Sequence, residues 1–93
     1  MLSGKGSVIA WGCELVDEDF HTINYEGRQK QHNAIVIGDR VWIASHVKIL
    51  KGVHIRNHSV IAANSVVTRS FAEENVLIAG DPARIIRRGI EWS

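Results

Sequence analysis

Residues Asp17-Glu18-Asp19-Phe20-His21 set one histidine behind three carboxylates and an aromatic ring. A histidine there can be held in one tautomer by a carboxylate or a carbonyl, and it can lift a proton from a hydroxyl near neutral pH. A structural histidine at a loop base is the competing reading. Asp17 and Asp19 fall on the same side of an extended segment, where they orient His21 or the loop rather than form an acid/base pair. Arg84, Arg87 and Arg88 make a basic cluster near the C-terminus. It reads equally as a solvated basic end or as an anion site. No Ser-His-Asp set, phosphate-binding glycine loop or paired catalytic carboxylates can be assembled from the rest.

The elements that must position these groups follow a period of six. Ile37, Ile43, Ile49, Ile55, Ile61 and Val67 recur without a miss, and a second inward set, Ile35, Val41, Val47, Val53, Ser59 and Ser65, lies two places before them. Six is neither the helical period nor the alternation of a long strand. Two inward residues followed by turn-permitting residues such as Gly38-Asp39, Gly52, Asn57 and Asn64 describe a short strand and a corner. Three such units close a triangular coil of about 18 residues, the signature of a hexapeptide-repeat parallel β-helix. An antiparallel β-domain with frequent turns is the alternative, but it does not explain the constant phase. Stacking goes by 18, whereas His46, His54 and His58 are separated by 8, 4 and 12 residues. One subunit therefore cannot gather them into a zinc site, and they read as corner histidines unless subunits share a metal. His32 lies in a polar loop and indicates nothing.

Ninety-three residues allow one small domain, and 11 Lys and Arg against 10 Asp and Glu argue against a nucleic-acid or membrane surface. One cysteine excludes an internal disulfide framework and fits a reducing compartment. Cys13 lies in the second inward register and reads as a core filler. No apolar run approaches the length of a membrane span, and Met1-Leu2-Ser3-Gly4-Lys5 lacks a signal peptide's apolar core. A cytoplasmic location is expected. Val36, Trp42, Val60 and Val66 point outward from the triangle, which predicts an oligomer.

In chain order, the expected single domain (1–93) begins with an early coil over 7–23, where Ile9 and Leu15 are six apart with Ser7 and Cys13 in the second register. Residues 24–34 are polar, lack the sixfold pattern and read as an excursion loop. The main coils span 35–70, and the last strand and tail span 71–93. Within that tail, 71–75 is a turn and 76–79 a strand. Asp81 as N-cap and Pro82 at the first helical position predict a short helix to about Arg88, ended by Gly89.

Several motifs resemble one family in their order. They are Asp17-Glu18-Asp19-Phe20-His21-Thr22-Ile23, a loop with Arg28, Ile35 to Ser45, Gly52-Val53-His54-Ile55, Ser59 to Thr68 and Ala79-Gly80-Asp81-Pro82-Ala83-Arg84. The chain is similar from about Ser7 onward to the hexapeptide-repeat acetyltransferases. The nearest branch holds the maltose and galactoside acetyltransferases and the O-acetyltransferases of capsule and lipopolysaccharide synthesis. The resemblance implies an all-β, left-handed parallel β-helix and a homotrimer with sites in clefts between subunits. It also implies acetyl-CoA as co-substrate and a saccharide acceptor, while the charge balance and histidine spacing above lead to the expectation of no nucleic acid, membrane or metal partner.

Carried over by residue, the resemblance makes His21 the base that deprotonates the acceptor hydroxyl and gives the Ser45 N–H to the oxyanion. Ser45, Ala63, Thr68 and Arg69 match positions along the pantetheine arm, and Arg84 and Arg87 match positions near the coenzyme phosphates. Trp42 matches a cleft-lining residue, with Asp19 and Arg28 as further acceptor-binding candidates. The chain departs from the family where Ala44 replaces a common Gly and Arg69 a common Lys. Leu50 and Arg56 also fill places that small residues often hold. The further N-terminal coils that supply acceptor-binding groups in the family do not precede Ser7. Two readings follow: an acetyl-CoA-dependent O-acetyltransferase acting on a sugar hydroxyl, or a truncated, catalytically incompetent trimeric β-helix that retains at most CoA binding. A third, carbonic-anhydrase-like reading requires zinc shared between subunits.

Overall fold

The computed structural model describes residues 2–16 and 34–92. Among the described residues nine two-residue strands come first: β1 (Leu2–Ser3), β2 (Val8–Ile9), β3 (Glu14–Leu15), β4 (Val36–Ile37), β5 (Trp42–Ile43), β6 (Lys48–Ile49), β7 (His54–Ile55), β8 (Val60–Ile61) and β9 (Val66–Val67). Two longer strands close the chain, β10 (Val76–Gly80) and β11 (Ala83–Arg88). The short strands stack in parallel on three faces. Face one carries β1-β4-β7, face two β2-β5-β8 followed by β10 and β11, and face three β3-β6-β9.

The register is that of the hexads. Ile37 pairs with Ile55, Ile43 with Ile61 and Ile49 with Val67 across neighbouring coils. All six members of that set are at most 2 % exposed, as are Ile35, Val41, Val47, Val53, Ser59 and Ser65 of the second set. Each buried aliphatic side chain contributes roughly 1.5–3 kcal/mol, so the stacked coils hold together through this one axial core. Ile9, Cys13 and Leu15 of the early coil pack against it while remaining partly exposed. The Cys13 thiol reaches the Ala44 carbonyl at 3.2 Å, consistent with a filler role.

Each corner needs a residue in the left-handed region. Gly6, Arg40 and His58 supply it at the corner between faces one and two. Gly12, His46 and Asn64 supply it between faces two and three, and Gly52 between faces three and one. His46 and His58 therefore serve the backbone, since histidine is among the side chains that tolerate this conformation best.

The expected helix after Pro82 is absent. Residues 83–88 instead form β11, antiparallel to β10, with Gly80 (φ 112°) entering the turn. Asp-Pro signals a turn as readily as a helix start. A six-residue helix would be marginal alone, whereas β11 pairs the open edge of β10. Burial also alternates at first, with Ala83 buried, Arg84 exposed and Ile85 partly buried. A register shift follows and leaves Ile86 55 % exposed. The end of β11 is tied down by Arg88, whose Nε donates to Glu73 Oε2 at 2.6 Å. That bond holds the Glu73 carboxyl below its ordinary range.

Candidate active site

The corner between faces two and three stacks Trp11, Ser45 and Ala63 in successive coils. The Trp11 carbonyl accepts the His46 N–H at 3.3 Å, and the Ser45 carbonyl accepts the Asn64 N–H at 3.1 Å. The Ala44 N–H donates to the Ile61 carbonyl at 3.0 Å. Between these engaged neighbours, the Ser45 N–H has no backbone acceptor among the described residues.

The adjacent corner shows why. There Asn57 Oδ1 accepts the Asp39 N–H from one coil below at 2.8 Å, and Asp39 Oδ1 accepts the Lys5 N–H at 2.9 Å. An Asx side chain thus caps the equivalent N–H beneath it. At the Ser45 corner the position one coil above belongs to Ala63, which has no acceptor to offer. With no acceptor among the described residues, this N–H is a ready donor to an oxygen that gains negative charge.

Face two carries the remaining groups on this side. Trp42 is 43 % exposed, and its ring lies 5.9 Å from that of Trp92, returned by the C-terminal segment. Arg84 pairs with Ala79 and Arg87 with Leu77, so both arginines lie on the outer side of this face above Trp42 and Val60. The structure therefore brings Trp42, Ser45, Ala63, Arg84 and Arg87 to one side of the coil. Sequence reasoning missed Trp92 because its approach depends on where the tail folds. Asn75 fixes that path: its carbonyl accepts the Ile90 N–H at 2.9 Å, and its Nδ2 donates back to the Ile90 carbonyl at 3.4 Å.

Thr68 and Arg69 do not join this group. They follow β9 at the corner between faces three and one, where the Arg69 guanidinium lies 4.7 Å from the Phe71 ring centre. Val16 and Ala34, which bracket residues 17–33, sit at that same corner. His21, Asp19, Arg28 and residues 24–33 of the expected excursion loop lie outside the described residues.

His46, His54 and His58 are on two different corners and on face one, as their spacing required. Partial burial, then the Arg56 guanidinium, hold the His54 imidazole below its ordinary 6.5. Its backbone N–H donates to Ser70 Oγ at 2.8 Å.

Comparison with known proteins agrees with this architecture. The family "Bacterial transferase hexapeptide (six repeats)" matches residues 34–69. The chain is 44 % identical over 89 residues to an "uncharacterized 24.8 kDa protein in cps region" of Klebsiella pneumoniae, a match covering 96 % of this chain and 40 % of that protein. It is 44 % identical over 70 residues to the galactoside O-acetyltransferase of Escherichia coli (strain K12), covering 72 % of this chain and 34 % of the relative. The solved polysialic acid O-acetyltransferase OatWY superposes with a TM-score of 0.84 at 37 % identity, over 98 % of this chain and 44 % of that one. The chain thus spans well under half the length of these relatives. Repeat, sequence and superposition agree that it carries the left-handed β-helix of the hexapeptide-repeat acetyltransferase family.

Proposed function

We propose that this chain acts as an acetyl-CoA-dependent O-acetyltransferase on a saccharide hydroxyl, with sites between the subunits of a homotrimer. The observation that carries the reading is the open Ser45 N–H on the same side of the coil as Arg84 and Arg87. A thioester carbonyl placed at Ser45 and phosphates placed at the arginines would lie at opposite ends of one line along the axis. That matches an extended coenzyme with a charged head. Acetyl-CoA supplies the activated acyl group.

The chain's own residues divide the remaining work. His21 takes the proton from the acceptor hydroxyl, and Asp19 and Arg28 help bind the acceptor. The Ser45 N–H holds the oxygen that becomes negative, a donor typically worth ~3 kcal/mol of barrier. Trp42 walls the cleft, Ala63 flanks the pantetheine arm, and Arg84 and Arg87 bind the phosphates. Thr68 and Arg69 contact the arm from the other side.

Support for an intersubunit site comes from the two corners. Ser45 and the residues that bracket 17–33, Val16 and Ala34, sit at corners separated by face three, which favours a cleft that draws on neighbouring copies. The similarity to the galactoside and polysialic acid O-acetyltransferases favours a saccharide acceptor.

Thiol release from acetyl-CoA against a saccharide panel tests the reading. Acceptor-dependent release that falls by about 10²- to 10⁴-fold in His21→Ala, with the trimer intact, is expected for a lost general base. Acceptor-dependent release at the wild-type rate in that variant excludes His21. CoA binding with no acceptor-dependent release in the wild type favours the incompetent, coenzyme-binding β-helix.

A further inference from the structure

Trp11 is 75 % exposed, more than any other large apolar side chain among the described residues. A solvated indole forfeits one of the largest apolar burials a side chain can offer. Its surroundings nevertheless hold it in place. The ring meets His46 edge to face, with centroids 4.7 Å apart and planes at 78°. The next residue, Gly12, has φ +81°, and a Cβ there would come within 2.6 Å of His46 Nδ1. Only glycine leaves room for the imidazole that steadies the indole.

The position of this ring gives it meaning. Trp11, Ser45 and Ala63 occupy the same corner in consecutive coils. On the proposed reading, on which this inference rests, the coenzyme runs from Ser45 past Ala63 toward Arg84 and Arg87. The coil that carries Trp11 lies on the other side of Ser45 from that path and is left to the acceptor.

We infer that Trp11 is a stacking platform for the acceptor, receiving the C–H face of a pyranose ring whose hydroxyl is directed toward Ser45. An indole suits this task because it is large, rigid and apolar on its face, while its fixed orientation keeps the ordering cost of binding low. Trp42 is less suited, since Trp92 lies against it. Trp11 is thus a specificity residue, selecting rings with an uninterrupted apolar face.

The test uses the 93-residue chain with methyl β-galactopyranoside and oligosialic acid as probes. In Trp11→Ala, the KM for the saccharide turned over is expected to rise by about tenfold or more, the loss of one well-made aromatic contact, while the KM for acetyl-CoA stays within about twofold. Trp11→Phe should fall between. Thiol release with an unchanged saccharide KM overturns the platform and leaves the transferase reading standing. Loss of the wild-type oligomeric state in both variants marks the indole as an interface filler and also overturns it. Tryptophan fluorescence titrated with the same saccharides, without acetyl-CoA, separates the two ideas. Quenching present in the wild type and lost in Trp11→Phe supports the platform even if no thiol is ever released; no quenching by either saccharide contradicts it.

Discussion

Ala63 sits one coil above Ser45 at the same corner and offers the Ser45 N–H nothing, whereas Asn57, one coil above Asp39, caps that residue's N–H at 2.8 Å. Both corners turn through a residue in the left-handed region, and the difference that decides the cap is Asn57 at one and Ala63 at the other, each one coil above the N–H in question. Ala63→Asn should therefore install the missing cap. Turnover is expected to fall by about 10²-fold or more, as for loss of an oxyanion donor, with thermal stability unchanged or raised. Full activity in this variant would show that the Ser45 N–H is not the donor.

The first corner can be dismantled in the reverse sense. Asn57→Ala removes the acceptor for the Asp39 N–H and is expected to cost about 1 kcal/mol in denaturant unfolding. Gly38→Ala should cost more, because its Cβ would collide with Asn57 Oδ1 and stand 2.9 Å from the Asn57 backbone nitrogen. Equal effects of the two variants would contradict this packing.

Ser59 is fully buried, and its hydroxyl has no partner among the described residues. Ser65 in the same register donates to the Ala62 carbonyl at 2.7 Å and accepts from the Gly80 N–H. Ser59→Ala is expected to raise stability by about 1 kcal/mol, because an orphaned polar group is removed from the core. Ser65→Ala should lower it. Ile61→Ala, by contrast, should lose ~3 kcal/mol through the cavity it opens.

The axial core, the phase of the coils and the exposed faces were legible in the sequence, since a strict sixfold repeat leaves little freedom in where Ile37 and Ile55 can meet. The strand at 83–88 was not legible. Asp81-Pro82 carries the same local signal for a turn and a helix start, and the choice was made by the unpaired edge of β10, a tertiary feature. At the site, Ser45, Ala63, Trp42 and the arginines followed from matching motifs. Their common side of the coil, and the place of Thr68 and Arg69 on another corner, emerged only from the closed triangle. Trp11 and Trp92 were missed because an isolated tryptophan carries no periodic signal; the roles suggested for them come from their contacts with His46 and Trp42.

His54 links pH to stability. Its imidazole titrates below 6.5 in the fold, chiefly through burial and then through Arg56, so the folded state favours the neutral form. Its contribution is complete above the unfolded value of 6.5 and is lost as the pH falls through the lower folded value. Melting temperature should therefore decline between pH 7 and 5 less steeply in His54→Gln than in the wild type. In NMR titrations Arg56→Gln should move the His54 midpoint upward without restoring it fully, since burial remains. Full restoration would assign the shift to charge alone.

The division of the site between two corners is tested most directly by mixing two inactive variants. His21→Ala lacks the base, and the double variant Arg84→Ala, Arg87→Ala lacks the phosphate ligands. Unfolded together and refolded into mixed trimers, they should regain acceptor-dependent thiol release that neither shows alone, because some clefts then pair an intact His21 with intact arginines from a neighbour. Mixed trimers that form and remain as inactive as their parents would contradict a site shared between copies.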